Sequence, residues 1–315
     1  MKQSSKVDLV GVGLNATDTL IRLPHYPVLG SKVAFRSADV LPGGQVATAV
    51  AACQQWGLRT RYVGKVGDDS AAAIHRAEFE RLGVETHLVT APGCASQQAV
   101  ILVDDAGERT VLWKRDHGLT LQPQELRLEW IAEARALHVD GHDTAAAAVA
   151  AGWARDAGVP VIADLDDLYP GVEVLLEKID YLITSRDIPG RLTGKQDLRQ
   201  SLPAVRNRYG CRLTAATLGH EGVLAWDGSK FHYAPAFRVQ AVDTTGAGDI
   251  FHAGFIYGLL QGWPLPRQLD FACAAAALNC TAAGARGCIQ PVENIEKLIG
   301  TGDRHASAFD ISLWV

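Results

Sequence analysis

Short apolar runs alternate with helix-periodic stretches along most of this chain. Residues 7–13, 136–140, 159–164 and 181–184 are strand-length and apolar, and helical patterns over 145–157 and around 172–178 separate the last three. A βαβαβ run of this kind predicts a parallel sheet flanked by helices, with ligands at the carboxyl ends of its strands. Residues 98–103 and 109–114 break the pattern: they alternate like a hairpin, and Asp104-Asp105-Ala106-Gly107-Glu108 supplies the turn. With residues 19–41, where 32–36 is strand-like, they predict a small antiparallel sheet standing off the main one. Further on, 237–242 reads as a strand, 250–262 as an apolar buried helix and 271–280 as a small-residue helix.

Composition narrows this picture. With 315 residues and 48% hydrophobic side chains, the chain can build one large α/β unit or a core with a small appendage. A net charge of −5 argues against a nucleic-acid partner held through phosphates. The six cysteines lack C-x-x-C spacing and read as reduced residues, the N-terminus shows no signal-peptide core, and the longest apolar stretch is too short to span a bilayer. The expectation is a cytoplasmic protein with no membrane partner.

The chemistry concentrates in Val242-Asp243-Thr244-Thr245-Gly246-Ala247-Gly248-Asp249, between the strand-like 237–242 and the apolar helix. A small-residue turn opening a helix lets successive amides face one anion at the positive end of the helix dipole, phosphate above all. Asp249 at that point is either a helix cap or a base that takes a proton from an attacking hydroxyl. Gly11-x-Gly13-x-x-Ala16 matches a dinucleotide fingerprint, but Pro24, Pro27 and Gly30 deny it the following helix. Asp18, at the mouth of the first strand, suits hydrogen bonds from sugar hydroxyls. Asp68 and Asp69 read as turn and cap residues. His138 and His142 lack a third metal ligand at suitable spacing.

The string Asp-Thr-Thr-Gly-Ala-Gly-Asp resembles the second signature of the ribokinase-like (PfkB) carbohydrate kinases, and Gly43-Gly44-Gln45 with the helix behind it resembles the first. The resemblance extends over nearly the whole chain. It implies a three-layer α/β/α core with a mostly parallel sheet, plus a small antiparallel lid from residues 15–41 and 97–116, within one domain over 1–315. It further implies phosphoryl transfer from ATP, with Mg2+ and a monovalent cation (K+), to a primary hydroxyl of a small sugar. Asp249 is then the base, and Gly246, Ala247 and Gly248 bind the transferring group. Asp18, Gly43, Gly44, Gln45 and Thr48 face the sugar, with Thr48 where the family has Asn. Thr184 and Asp187 replace its Asn-x-x-Glu, so Asp187 is the Mg2+ candidate. Thr217, Gly219 and Gly222 match its nucleotide motif, Asn279 is an adenine-side candidate, and Asp243 and Thr245 are candidate ligands of the monovalent cation.

The overall string looks nearest to ketose-directed members such as fructokinases and sulfofructose kinases, which implies a ketose in furanose form. Lys32 and Arg115 are candidates for meeting an anionic substituent, with solvated lid charges as the equal alternative. In the family the lid often pairs with a second subunit's, which makes a homodimer the expected assembly. Two rivals remain: a nucleoside kinase, using Trp113 and Phe35 as a base platform, and a non-catalytic sugar or nucleotide sensor.

Overall fold

Most of the apolar runs become strands of one large sheet. The computed structural model describes residues 7–105 and 108–309, so Ala106 and Gly107 of the expected hairpin turn lie outside the described residues. The chain opens with β1 (Val7–Val12), β2 (Ala16–Arg22), β3 (Ser37–Gly43), α1 (Gln45–Gln55), β4 (Thr60–Val66), α2 (Ser70–Leu82), β5 (Glu85–Thr90), β6 (Gln98–Val103) and β7 (Arg109–Lys114). Next come α3 (Leu128–Ile131), β8 (Ala134–Asp140), α4 (Thr144–Asp156), β9 (Val161–Leu165), α5 (Val172–Leu176) and β10 (Tyr181–Ser185). Then follow α6 (Ile188–Thr193), α7 (Leu198–Tyr209), β11 (Leu213–Thr217), β12 (Val223–Trp226) and β13 (Phe231–Ala234). The last helices are α8 (Ala247–Leu260), α9 (Leu265–Asn279) and α10 (Val292–Thr301).

The large sheet has nine strands in the order β13-β12-β11-β10-β9-β8-β1-β4-β5. Every pair from β11 to β5 is parallel, and β12 and β13 close the other edge antiparallel. Strands covered on both faces need apolar residues at nearly every position. One core cluster packs α1, α8 and α9 on one face, and a second packs α4, α5 and α7 on the other. The parallel strands therefore release their carboxyl ends along one rim.

Above that rim stands a four-stranded sheet, β3-β2-β6-β7. It is mixed rather than uniformly antiparallel, because β2 and β6 run parallel. The physical reason is connectivity: a hairpin can join β6 to β7, but the chain reaches β6 from β2 only after passing through α1, β4, α2 and β5. Leu20, Ala99, Ile101 and Val103 form its buried face.

Two expected strands are not strands. Residues 32–36 are irregular and regular pairing starts at Ser37. In the stretch 237–242 the pairing is a single bridge between Phe237 and Arg304, and the Val242 and Asp243 amides donate to the Cys280 carbonyl instead. Its apolar side chains line a cavity rather than a sheet neighbour. Among the described residues no helix is long and apolar enough to cross a membrane.

Candidate active site

Gly246 caps α8 with φ 75°, a left-handed conformation natural to glycine, and a Cβ there would collide with the Ala285 carbonyl. The turn is stapled from behind. Asp243 accepts from the Thr245 amide at 2.9 Å and hydroxyl at 2.7 Å, and its other oxygen accepts from the Gly284 amide at 2.8 Å. Among the described residues the Gly246, Gly248 and Asp249 amides meet no acceptor. The Ala247 amide differs from expectation, since it leans on the Thr244 carbonyl at 3.3 Å and is not bare. A Cβ on Gly248 would meet open space. Bare amides at the start of a four-turn helix, with room before them, form an anion cradle.

Asp249 stands beside that cradle, half-buried. Burial, with Asp164, Asp18 and Asp166 as negative neighbours, raises its carboxyl to about 8 against the pull of His252. His252, one turn along α8, donates from Nδ1 to the Gly248 carbonyl at 2.8 Å and lies 3.4 Å from Asp164. Behind it His138 stacks at 5.6 Å, while His142 is bonded to Tyr169. Asp18 lies across from Asp249 on β2, buried, and desolvation raises it to about 6. A side chain at Gly43 would overlap its carboxylate, which explains glycine there.

Thr48 is fully buried and does not open on the cleft: its hydroxyl accepts from Arg286 Nε at 3.2 Å. Arg286 also donates to the Gly43 carbonyl at 3.2 Å, and its guanidinium faces the Phe79 ring. It was not singled out in the sequence, where it reads as a lone loop charge after a small-residue run. Burial draws its pKa down to about 10, against the pull of nearby Glu78, Asp249 and Asp18.

Beyond the cradle lies a cavity of about 360 Å³. Thr217, Gly219 and Gly222 form one wall, and Val239, Phe251, Ala276 and Cys280 furnish apolar lining. An apolar slot opening on an anion cradle suits a nucleotide. A pfkB family carbohydrate kinase pattern matches residues 15–292. The chain belongs to the pfkB family of carbohydrate kinases. An ATP-dependent ribose-1-phosphate kinase of Halopiger xanaduensis is 30% identical over 85% of this chain and 90% of that protein. The acarbose 7(IV)-phosphotransferase of an Actinoplanes species is 32% identical over 90% and 95%. Arabidopsis thaliana ribokinase, solved with ribose and ATP, superposes with TM-score 0.79 at 25% identity over 94% and 99% of the two chains.

Other expected residues of this pfkB kinase fall as follows. Asn279 is buried and does not line the cavity; its amide donates to the Thr245 and Ala285 carbonyls at 3.4 and 3.1 Å, tying the two loops together. Asp187 pairs with Arg191, which also holds Asp167, and Thr184 turns its hydroxyl to backbone carbonyls. Lys32 is exposed on the irregular stretch, whereas Arg115 pairs with Asp143 at 2.5 Å, and no contact joins the two. Phe35 is exposed on the same stretch. Trp113 stands opposite Ala99, on the face of the small sheet that carries Asp18. Arg109, also unanticipated, reaches from β7 to the Thr245 hydroxyl at 3.4 Å, linking the small sheet to the cradle.

Proposed function

We propose that this kinase transfers the γ-phosphoryl group of ATP to a primary hydroxyl of a small sugar, a ketose in furanose form. The observation that carries the reading is the Asp249 carboxylate standing between bare amides and Asp18. Asp249 takes the hydroxyl proton as oxygen attacks phosphorus, and the Gly246 and Gly248 amides hold the charge on the transferring group. Asp18, Gly43, Gly44 and Gln45 orient the sugar. Thr48 acts on it through Arg286, and the small sheet serves as a lid that keeps out competing water. Arg109 is placed to meet the nucleotide's phosphates from that lid.

Among the described residues no cluster of three or more acidic, His or Cys side chains could hold a metal alone. Mg2+ would come with the nucleotide, and Asp187 and Asp166 are the carboxylates that would hold it. The ion neutralises phosphate charge. The candidate ligands of the monovalent cation are Asp243 and Thr245, whose turn is held by the Asp243 carboxylate. We place the protein in the cytoplasm, where ATP and free sugars meet. The lid's exposed apolar outer face favours a homodimer.

The test is acceptor-dependent ADP release across ketoses, aldoses and nucleosides, with Mg2+ and with or without K+. Turnover of ketoses supports the reading, and preference for nucleosides would move it to a nucleoside kinase that stacks its base on Trp113. Binding without any turnover would leave a sensor.

A further inference from the structure

Residues 302–309 follow α10, beyond the stretch that the family pattern covers, yet they are fastened alongside the large cavity. The Arg238 amide donates to the Asp303 carbonyl at 2.8 Å, and the His305 amide donates to the Ala236 carbonyl at 2.9 Å. Between them Phe237 and Arg304 form an antiparallel bridge. The Arg304 guanidinium lies 3.9 Å from the Phe237 ring centroid and donates to the Pro235 carbonyl and to Asp270 of α9, each at 2.8 Å. At one end the Gly302 amide donates to the Leu298 carbonyl at 2.7 Å, and near the other the Ala308 amide donates to the Tyr233 hydroxyl at 3.0 Å.

Holding a strap of this kind in place costs backbone entropy, and burial offsets little of it, because none of residues 302–309 is buried. Its polar fastenings fix one side chain against the cavity. His305, half-buried, stands in the wall that also contains the cradle residues Ala247 and Gly248. Beside it is His220 of the Gly219–Gly222 turn, with ring centroids 5.8 Å apart and planes at 65°. The strap and that turn therefore meet at the cavity.

A nucleoside in this cavity needs polar partners, because its base edge and ribose hydroxyls leave water. Most polar side chains of the wall are already committed. The Thr217 hydroxyl donates to the Thr184 carbonyl at 3.3 Å, and the Cys273 thiol donates to the Ala234 carbonyl at 3.8 Å. Thr244 belongs to the cradle turn, and Cys280 offers only a weakly polar thiol. Among the described residues the ring nitrogens of His220 and His305 meet no hydrogen-bond partner. Each imidazole thus brings a free polar edge and a flat face on which a base can stack. The bare amides of α8 take the phosphates, which leaves the imidazoles to the nucleoside.

We propose that the C-terminal strap is part of the nucleotide site, and that His305, paired with His220, holds the nucleoside end of ATP. The inference rests on the reading of ATP as phosphoryl donor.

The test is calorimetric titration of the full chain, without sugar, by MgATP and by magnesium tripolyphosphate, which carries the phosphates and no nucleoside. Wild-type protein is expected to bind MgATP at least about tenfold more tightly. His305→Ala is expected to weaken MgATP about tenfold and to leave tripolyphosphate within about twofold. In turnover the ATP KM should rise by the same factor, with smaller changes in kcat and acceptor KM. Equal weakening of both ligands would show that the strap only supports the fold, and it overturns the inference, as does an unchanged MgATP affinity. Should His305→Ala fail to fold, His220→Ala decides by the same comparison, because the two rings share the contact. Wild-type protein that binds MgATP no better than tripolyphosphate overturns the nucleoside contact and leaves the cradle standing. Wild-type protein that binds neither overturns the ATP reading itself, and the strap's role with it.

Discussion

At the scale of single residues the group the proposed mechanism turns on is Asp249, whose proton affinity is set by its setting. Burial and three acidic neighbours raise its carboxyl to about 8. A base must be unprotonated, so kcat/KM is expected to rise with pH to a midpoint near that value. Asp164→Asn, which removes the largest negative neighbour, should move the midpoint to lower pH; an unmoved profile would show that Asp164 does not act on the base. Asp249→Asn should lower acceptor-dependent ADP release by about 10²–10⁴-fold. Its stability should change in the opposite sense. With the folded pKa above the unfolded one, the native state holds a proton the unfolded chain releases, so stability falls as pH rises from the ordinary carboxylate range toward 8. Asn escapes that loss, so its melting temperature should exceed wild type most above the raised midpoint and match it in acid. Calorimetry at both ends decides. The place of Asp249 beside bare amides was legible because several small residues and the carboxylate share one turn. Arg286 was not, since a single charge in a loop carries no periodic signal and its Thr48 and Gly43 partners lie more than two hundred positions away.

Among the elements, α8 is the one the proposed site depends on, because its first turn would supply both cradle and base. Gly246→Ala would force a left-handed conformation, at a cost of about 1–2 kcal/mol, and push a methyl into the Ala285 carbonyl. The expected result is a lower melting temperature with an ATP KM raised by about tenfold or more. An Ala protein with wild-type ATP affinity would show that the amides do not hold the phosphates. Elements with one clear period were readable from the chain. The strands β6 and β7 have the expected bounds, since alternation over six residues admits few alternatives. The stretch 237–242 was misread for a physical reason: Phe237, Val239 and Ala241 are apolar at every second position, as in a strand, yet they line the cavity beside α8 and α9. Period alone cannot say whether an apolar face meets a sheet or a ligand. Likewise, the parallel β2–β6 pairing depends on where a distant strand returns, which no local pattern records.

For the molecule as a whole, the small sheet has two faces with different work. The face with Asp18, Leu20, Ala99, Ile101 and Trp113 looks toward the site. On the other, Val40, Thr19, Val100 and Leu112 form one cross-strand row, with Ile21 and Leu102 in the row beyond. Val40 and Leu112 are 54% and 57% exposed. A contiguous apolar face of this kind on a lid costs solubility unless something covers it. A second copy related by a twofold axis would cover it with the same rows, closing the assembly at two chains. Wild-type protein should therefore sediment as a dimer of the 33.7 kDa chain. Leu112→Glu, which puts a charge at the exposed end of the row on the edge strand β7, should give monomers with a raised acceptor KM, because an unsupported lid would exclude water less well. Trp113 points to the other face, so Trp113→Ala should leave the dimer intact while altering acceptor KM. A wild-type protein that sediments as a monomer at high micromolar concentration would assign the outer face to another partner. A dimeric Leu112→Glu protein would place the contact elsewhere on the molecule.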